Sequence, residues 1–151
     1  LESSADPAAG DMGYATFLDR IDAIVMGRRT FEKVVCFPDW PYPKPVCVLS
    51  STLRDLPPHL EPSVWVRQGS PREIQAELAG QGFHHLYIDG GITIQRFLQA
   101  DAIDELIITR IPVLLGSGIP LFGELTGALP FAHVDTVVTG QLVQSHYRRV
   151  R

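Results

Sequence analysis

An α/β fold with a largely parallel sheet and an antiparallel C-terminal edge is predicted by three observations on this chain. Short apolar runs alternate with amphipathic helical stretches up to about residue 100. Several of those runs end in Gly or Ser, the punctuation of strand-to-helix turns in open α/β sheets. Two long strand-like stretches, 131–139 and 141–149, then follow each other across Thr139-Gly140, a hairpin signal.

The elements follow in order. Residues 1–10 are small, polar and Pro/Gly-containing and read as a loop. Tyr14, Phe17, Leu18 and Ile21 lie at helical spacing. Asp22-Ala23-Ile24-Val25-Met26 is an apolar strand running into Gly27, and a short helix begins near Arg29. Four prolines between Cys36 and Pro45 exclude regular structure there. Val46–Leu49 and Val64–Val66 are short strands separated by a loop containing Pro57-Pro58. Ser70-Pro71-Arg72-Glu73 has an N-cap Ser, Pro at the first helical position and Glu at the third. This capping-box pattern opens a helix that stops at Gly80 or Gly82. Leu86-Tyr87-Ile88 is a strand, and a helix with Ile94, Phe97 and Leu98 on one face follows Asp89-Gly90-Gly91. Leu106 to Leu115 reads as one long strand in which Pro112 marks an edge or a bulge.

The 151 residues suit one domain, taken as 1–151, which buries about two-thirds of its unfolded surface. Hydrophobic residues make up 45% and charged residues 20%, within the globular range. No apolar run approaches the ~18 residues of a membrane span. A net charge of −4 and a pI near 5.7 argue against a nucleic-acid partner. Cys36 and Cys47 lack CxxC spacing; two thiols without a signal peptide read as reduced and cytoplasmic rather than as a disulfide. His84-His85 point to opposite faces of an extended segment, and His59, His133 and His146 have no ligand spacing, so no metal site is expected.

Chemistry concentrates at three strand ends: Val25-Met26-Gly27-Arg28-Arg29-Thr30, Val48-Leu49-Ser50-Ser51 and Ile88-Asp89-Gly90-Gly91-Ile92-Thr93. In an open parallel sheet, ligands bind outside the carboxyl ends of strands. Glycine there admits a phosphate to the backbone, and the helix N-terminus offers unpaired N–H groups. Arg28 and Arg29 add guanidinium donors, Ser50 and Ser51 hydroxyls. Each piece alone also fits a plain turn or a solvated helix start. Trp40 and Tyr42, in the proline-rich loop, either cover a substrate pocket or form a satellite apolar cluster. Apolar Val137, Val138, Leu142 and Val143 on the last strands suggest a homodimer.

The order Gly27-Arg28-Arg29-Thr30-Phe31-Glu32, Leu49-Ser50-Ser51, Gly90-Gly91 resembles the dihydrofolate reductase superfamily. Residues 112–122, Pro-Val-Leu-Leu-Gly-Ser-Gly-Ile-Pro-Leu-Phe, are similar to the dihydrofolate reductase-like proteins related to the C-terminal reductase domain of the bifunctional riboflavin-biosynthesis deaminase/reductase. The resemblance covers roughly residues 11–150 and implies a dihydrofolate reductase-like fold. It also implies NADPH-dependent reduction of a small heterocycle, either a 5-amino-6-(5-phosphoribosylamino)uracil-like pyrimidine or a dihydrofolate-like pteridine.

By that resemblance, Gly27, Arg28, Arg29 and Thr30 face the phosphates and the adenosine side of NADPH. Leu49, Ser50 and Ser51 border the ribose and its 2′-phosphate. Gly90, Gly91, Ile92 and Thr93 hold the pyrophosphate and approach the nicotinamide. Asp11 matches the position of the family's catalytic carboxylate, and as plain chemistry it also suits a helix cap. Gly116-Ser117-Gly118 is either a bare connection or part of the wall near the nicotinamide. The family's opening strand, central in the sheet, has no counterpart here. The alternation of elements favours a chain without its first ~20–25 residues over one that diverges there, because a missing central strand leaves unpaired edges. Two other readings stand beside the reductase: a non-catalytic NADP(H)- or nucleotide-binding module, and an α/β scaffold whose glycines only make turns.

Overall fold

Continuous apolar runs such as Ala23–Met26 and Val46–Val48 suit strands buried on both faces, and that is where they lie. The computed structural model describes residues 10–151. The loop expected over residues 1–10 lies outside these apart from Gly10. Four strands, β1 (Ala23–Gly27), β2 (Val46–Leu49), β3 (Val64–Arg67) and β4 (Leu86–Asp89), form a parallel sheet in the order β3-β2-β1-β4.

Side chains alternate across this sheet with the period of two that a pleat imposes. Ile24 and Met26 of β1 and Val46 and Val48 of β2 pack on one side with Leu18 of α1 (Tyr14–Asp19) and Phe31 of α2 (Arg28–Val34). Val25 and Cys47 point the other way, onto Ile74 and Leu78 of α3 (Pro71–Gly80) and Phe97 and Leu98 of α4 (Gly91–Gln99). Phe97 is 2% exposed. Truncating so buried an aromatic costs about 3–5 kcal/mol through lost transfer energy and the cavity left behind.

The last three strands, β5 (Glu105–Arg110), β6 (Phe131–Thr139) and β7 (Leu142–Arg149), form an antiparallel sheet in the order β5-β7-β6. The mixed α/β class, parallel sheet and C-terminal hairpin are as expected. Two details differ. The strand expected over Leu106–Leu115 stops at Arg110. Pro112 has no N–H for a ladder, and Val113 N donates back to Ile111 O at 2.8 Å, a tight turn that ends the pairing. Leu142, expected on an outer apolar face, is 6% exposed and belongs to the core, while Val137 and Val138 are exposed as expected.

The cysteines are both free, Cys36 exposed and Cys47 buried, and burial pushes the Cys47 thiol up to about 12. His84 and His85 serve the fold through their backbones. Both N–H groups donate to Asp22 Oδ2, at 2.8 and 2.9 Å, which anchors the start of β4 to β1 and holds that carboxyl below its ordinary range. Among the described residues, no helix is long and apolar enough to cross a membrane.

Candidate functional site

The strand order locates the site. From β1 the chain winds outward through β2 to β3, then returns to the other side of β1 as β4. The crevice at such a reversal, beyond the carboxyl ends of the strands, is where open α/β sheets bind ligands. Here it lies between Gly27, the last residue of β1, and Gly90, which follows β4.

The helices that follow strands of this sheet begin in two ways. The start of α3 is closed by its own side chains: Ser70 Oγ accepts from Glu73 N at 3.3 Å, and Glu73 Oε2 accepts from Ser70 N at 3.1 Å. This is the capping box expected. The N-caps of α2 and α4 are Gly27 and Gly90, and neither helix has a side-chain cap. Their first-turn N–H groups are left for an external acceptor, a geometry suited to phosphate.

Both glycines are required by close approach. A Cβ on Gly90 would stand 2.5 Å from Thr30 Oγ1, and its φ of 98° lies where side chains are strained. A Cβ on Gly27 would stand 2.8 Å from Thr93 Oγ1. Thr30 of α2 therefore seats against the start of α4, and the buried Thr93 of α4 against the start of α2. Gly91 differs, since a Cβ there would meet only Ile119 Cγ2, at 3.8 Å.

The end of β2 completes the edge. The exposed Arg28 pairs with Glu32 through Nε–Oε1 at 2.6 Å, and its Nη1 donates to Thr52 Oγ1. Ser50 Oγ accepts from the N–H groups of Thr52 and Leu53, at 3.2 and 3.0 Å, fixing the turn after β2. Arg28, Ser50 and Ser51 thus share one corner, and Thr52, which sequence reasoning missed, is the residue Arg28 touches. Arg29 is exposed on the same first turn.

Asp11 lies at the start of α1, where Oδ1 accepts from Gly13 N at 3.0 Å and Oδ2 from Ala15 N at 3.1 Å. Both oxygens are engaged by backbone. Asp89, at the end of β4 and next to Gly90, stands in a different setting. Its Oδ2 accepts from Tyr42 Oη at 2.9 Å in a half-buried position. Burial first, and the Asp89 carboxylate second, hold the Tyr42 and Tyr87 hydroxyls well above the ordinary phenol range, and Tyr14 shifts the same way. The aromatic residues of the proline-rich loop pack against the main core on the α2 side of the sheet. Trp40 packs against Phe31 and Tyr42, with ring centroids 6.0 and 5.3 Å apart, while the Tyr42 hydroxyl donates to Asp89. A carboxylate at a strand's carboxyl end beside Gly-Gly is the signal that could have singled out Asp89.

The segment between β5 and β6 also reaches this edge. Gln95 Nε2 of α4 donates to Pro120 O at 2.6 Å and Gln99 Nε2 to Glu124 O at 3.3 Å, so Ile119 is held beside Gly91.

The family model for the RibD C-terminal domain matches residues 15–143. An uncharacterised Bacillus subtilis protein, YwjB, is 39% identical over 142 residues, 93% of this chain and 80% of that protein. A solved protein of Shewanella sp. PV-4, provisionally named for riboflavin biosynthesis, is 47% identical with a TM-score of 0.93, over 100% of this chain and 86% of that one. The fold alone is shared with a Thermotoga maritima diaminohydroxyphosphoribosylaminopyrimidine deaminase/5-amino-6-(5-phosphoribosylamino)uracil reductase (TM-score 0.74, 12% identity, 97% of this chain and 50% of that one). It is shared too with an Enterococcus faecalis dihydrofolate reductase complexed with NADP(H) (TM-score 0.62, 22% identity, 93% and 82%).

Proposed function

The chain belongs to the RibD C-terminal domain family, and on that premise we propose that it is an NADPH-dependent reductase of a small heterocycle. The substrate class is a 5-amino-6-(5-phosphoribosylamino)uracil-like pyrimidine or a dihydrofolate-like pteridine. One observation carries this reading: two glycine-started, uncapped helices face each other at the sheet reversal, with the Arg28 guanidinium at their flank. The Thermotoga and Enterococcus proteins of the same fold are named as reductases, and the latter was solved with NADP(H).

The residues present fit that cofactor. Gly27, Gly90 and Gly91 let the chain come close to a pyrophosphate, with the first turns of α2 and α4 donating N–H groups. Arg29 and Thr30 take the phosphate side, while Leu49, Ser50 and Ser51, with Thr52 and the Arg28 that donates to it, border the adenosine ribose and its 2′-phosphate. Ile92 and Thr93 approach the nicotinamide. NADPH supplies the hydride when bound; the chain binds, orients and excludes water. For the carboxylate that holds the heterocycle or moves its proton, Asp89 with Tyr42 is better placed than Asp11. Asp89 adjoins Gly90 and has one oxygen on Tyr42 Oη, whereas both Asp11 oxygens accept backbone N–H groups at the start of α1. A cytoplasmic homodimer, joined through exposed Val137 and Val138, belongs to the same reading.

Titration with NADPH and NADH tests the proposal. Tighter binding of NADPH, followed by substrate-dependent loss of reduced-nicotinamide absorbance, is the expected result. Binding without turnover on either heterocycle leaves the non-catalytic module, and binding of neither nucleotide overturns both readings.

A further inference from the structure

The connection from β5 to β6 is long and bare. Among the described residues no helix or strand lies between Arg110 and Phe131. Connections in compact domains mostly run about 4–6 residues, and structureless ones beyond about 12–15 are uncommon and usually functional. Its ends are tied down, by the turn from Val113 N to Ile111 O at one and by Leu129, packed into the core, at the other. Between them it is apolar and exposed, with Leu114, Ile119, Leu121 and Phe122 all open to solvent. A stretch with so little burial opens easily unless something outside it holds it.

What holds this one is α4. Among the described residues, 114–129 take part in two hydrogen bonds, and side chains of α4 donate both. Gln95 Nε2 reaches Pro120 O at 2.6 Å, and Gln99 Nε2 reaches Glu124 O at 3.3 Å. Residues four apart are neighbours on one side of a helix, and the two carbonyls that Gln95 and Gln99 take are four residues apart as well. Gly123 lies against the first amide: a Cβ there would stand 2.9 Å from Gln95 Oε1.

This grip has a consequence at the start of the same helix. Ile119, next to the held Pro120, has its Cγ2 3.8 Å from the place of a Cβ on Gly91. Pro120 fixes its own φ and restricts the residue before it, so a hold on its carbonyl steadies Ile119 too. One helix therefore opens its uncapped first turn at the sheet edge and, along its side, carries the segment that borders that turn.

We infer that Gln95 and Gln99 are positioning residues: they hold residues 119–124 against the start of α4, so that Ile119 walls the cofactor edge and the two amides set the rate of NADPH release. The wall's action on the cofactor rests on the reductase reading, whereas the hold on the segment does not.

The test replaces each glutamine by Met, which keeps the length, removes the donor and adds no charge. Chymotrypsin is added to the chain without nucleotide, and initial cleavage is read by mass spectrometry at two bonds. One follows Phe122, between the held carbonyls, and the other follows Leu114, outside them. The double variant Gln95→Met, Gln99→Met is expected to be cut after Phe122 about tenfold faster or more, the scale of two lost hydrogen bonds. Cleavage after Leu114 should stay the same. Gln95→Met alone should act more strongly than Gln99→Met alone, because its bond is the shorter. Stopped-flow displacement of bound NADPH, followed by nicotinamide fluorescence, should show release about tenfold faster in the double variant, with association within about twofold. Unchanged cleavage after Phe122, or equal acceleration after Leu114, overturns the inference. Faster cleavage with unchanged NADPH release overturns it as well, because the segment then walls nothing. An unsubstituted chain that binds no NADPH sinks the reductase reading, and the cleavage rates still decide whether the glutamines hold the segment.

Discussion

The hydroxyl of Thr30 occupies the space that a side chain on Gly90 would need, with Oγ1 2.5 Å from the place of its Cβ. Two helix starts on neighbouring strands are thereby locked together, neither with a side-chain cap. Gly90→Ala meets this contact and a φ of 98° at once. It should lose about 1–3 kcal/mol of stability in denaturant unfolding and bind NADPH more weakly. Gly91→Ala has ordinary contact distances, so its stability should stay within about 0.5 kcal/mol. Weaker NADPH binding by that variant would then report the cofactor's own approach. A stable Gly90→Ala with full affinity would remove the glycine cradle from the site.

The Arg28 corner makes a separate prediction. A guanidinium–phosphate contact is a charge-assisted hydrogen bond worth about 1.5–3 kcal/mol. Arg28→Ala should therefore weaken NADPH by about 10- to 100-fold while leaving NADH nearly unchanged. In the structure Glu32 holds Arg28 at 2.6 Å and competes for the same guanidinium. Glu32→Gln should tighten NADPH, more so at low ionic strength, because salt screens exposed charges. Calorimetric titration of both nucleotides decides it: equal losses of NADPH and NADH in Arg28→Ala contradict the assignment to the 2′-phosphate.

Much of this was legible in the sequence, for local reasons. Val46–Leu49 is a short apolar run closed by Ser50, and Ser70-Pro71-Arg72-Glu73 spells its own helix start, so both elements stand where local chemistry puts them. The glycines at strand ends mark, for the same reason, the edge where α2 and α4 start without side-chain caps. What escaped was long-range or concealed by composition. The apolar residues of 106–115 conceal a strand end that Pro112 alone announces. Tyr42 and Asp89 are 47 positions apart, and no periodicity connects them. Thr52 escaped because its partner, Arg28, arrives from another strand end.

Arg149 gives the acid-side prediction. Its guanidinium, 9% exposed, grips both oxygens of Asp101, Nε–Oδ1 at 2.8 Å and Nη2–Oδ2 at 3.0 Å, tying β7 to the end of α4. The Arg149 hydrogen bonds hold the Asp101 carboxyl below its ordinary range. A carboxyl whose folded pKa is depressed contributes stability above its unfolded value, near 3.9, and loses it as pH falls through the folded value. Arg149→Lys keeps the charge but loses the two-pronged grip. It should melt several degrees lower near neutral pH, and the gap should shrink on acidification toward pH 3. A gap independent of pH would mean that packing, not the ion pair, is what the substitution removes.

The tyrosines around Asp89 yield the alkaline and catalytic prediction. Burial and the neighbouring carboxylate raise the hydroxyls of Tyr42 and Tyr87 above the phenol value of 10. A group raised on folding contributes stability that is fully present below its unfolded pKa and lost as pH rises through the folded one. The chain should therefore weaken progressively above about pH 10, and Tyr42→Phe should flatten that decline. In the reductase reading, Asp89 orients the heterocycle or moves its proton, so Asp89→Asn should lower kcat by about 10²–10⁴-fold with the NADPH affinity nearly intact. Asp11→Asn should act mainly on the start of α1, lowering the melting temperature and leaving kcat close to that of the unsubstituted chain. Steady-state rates alongside thermal melts separate the two carboxylates. A kcat that falls in Asp11→Asn and holds in Asp89→Asn would move the acidic side of the site back to α1.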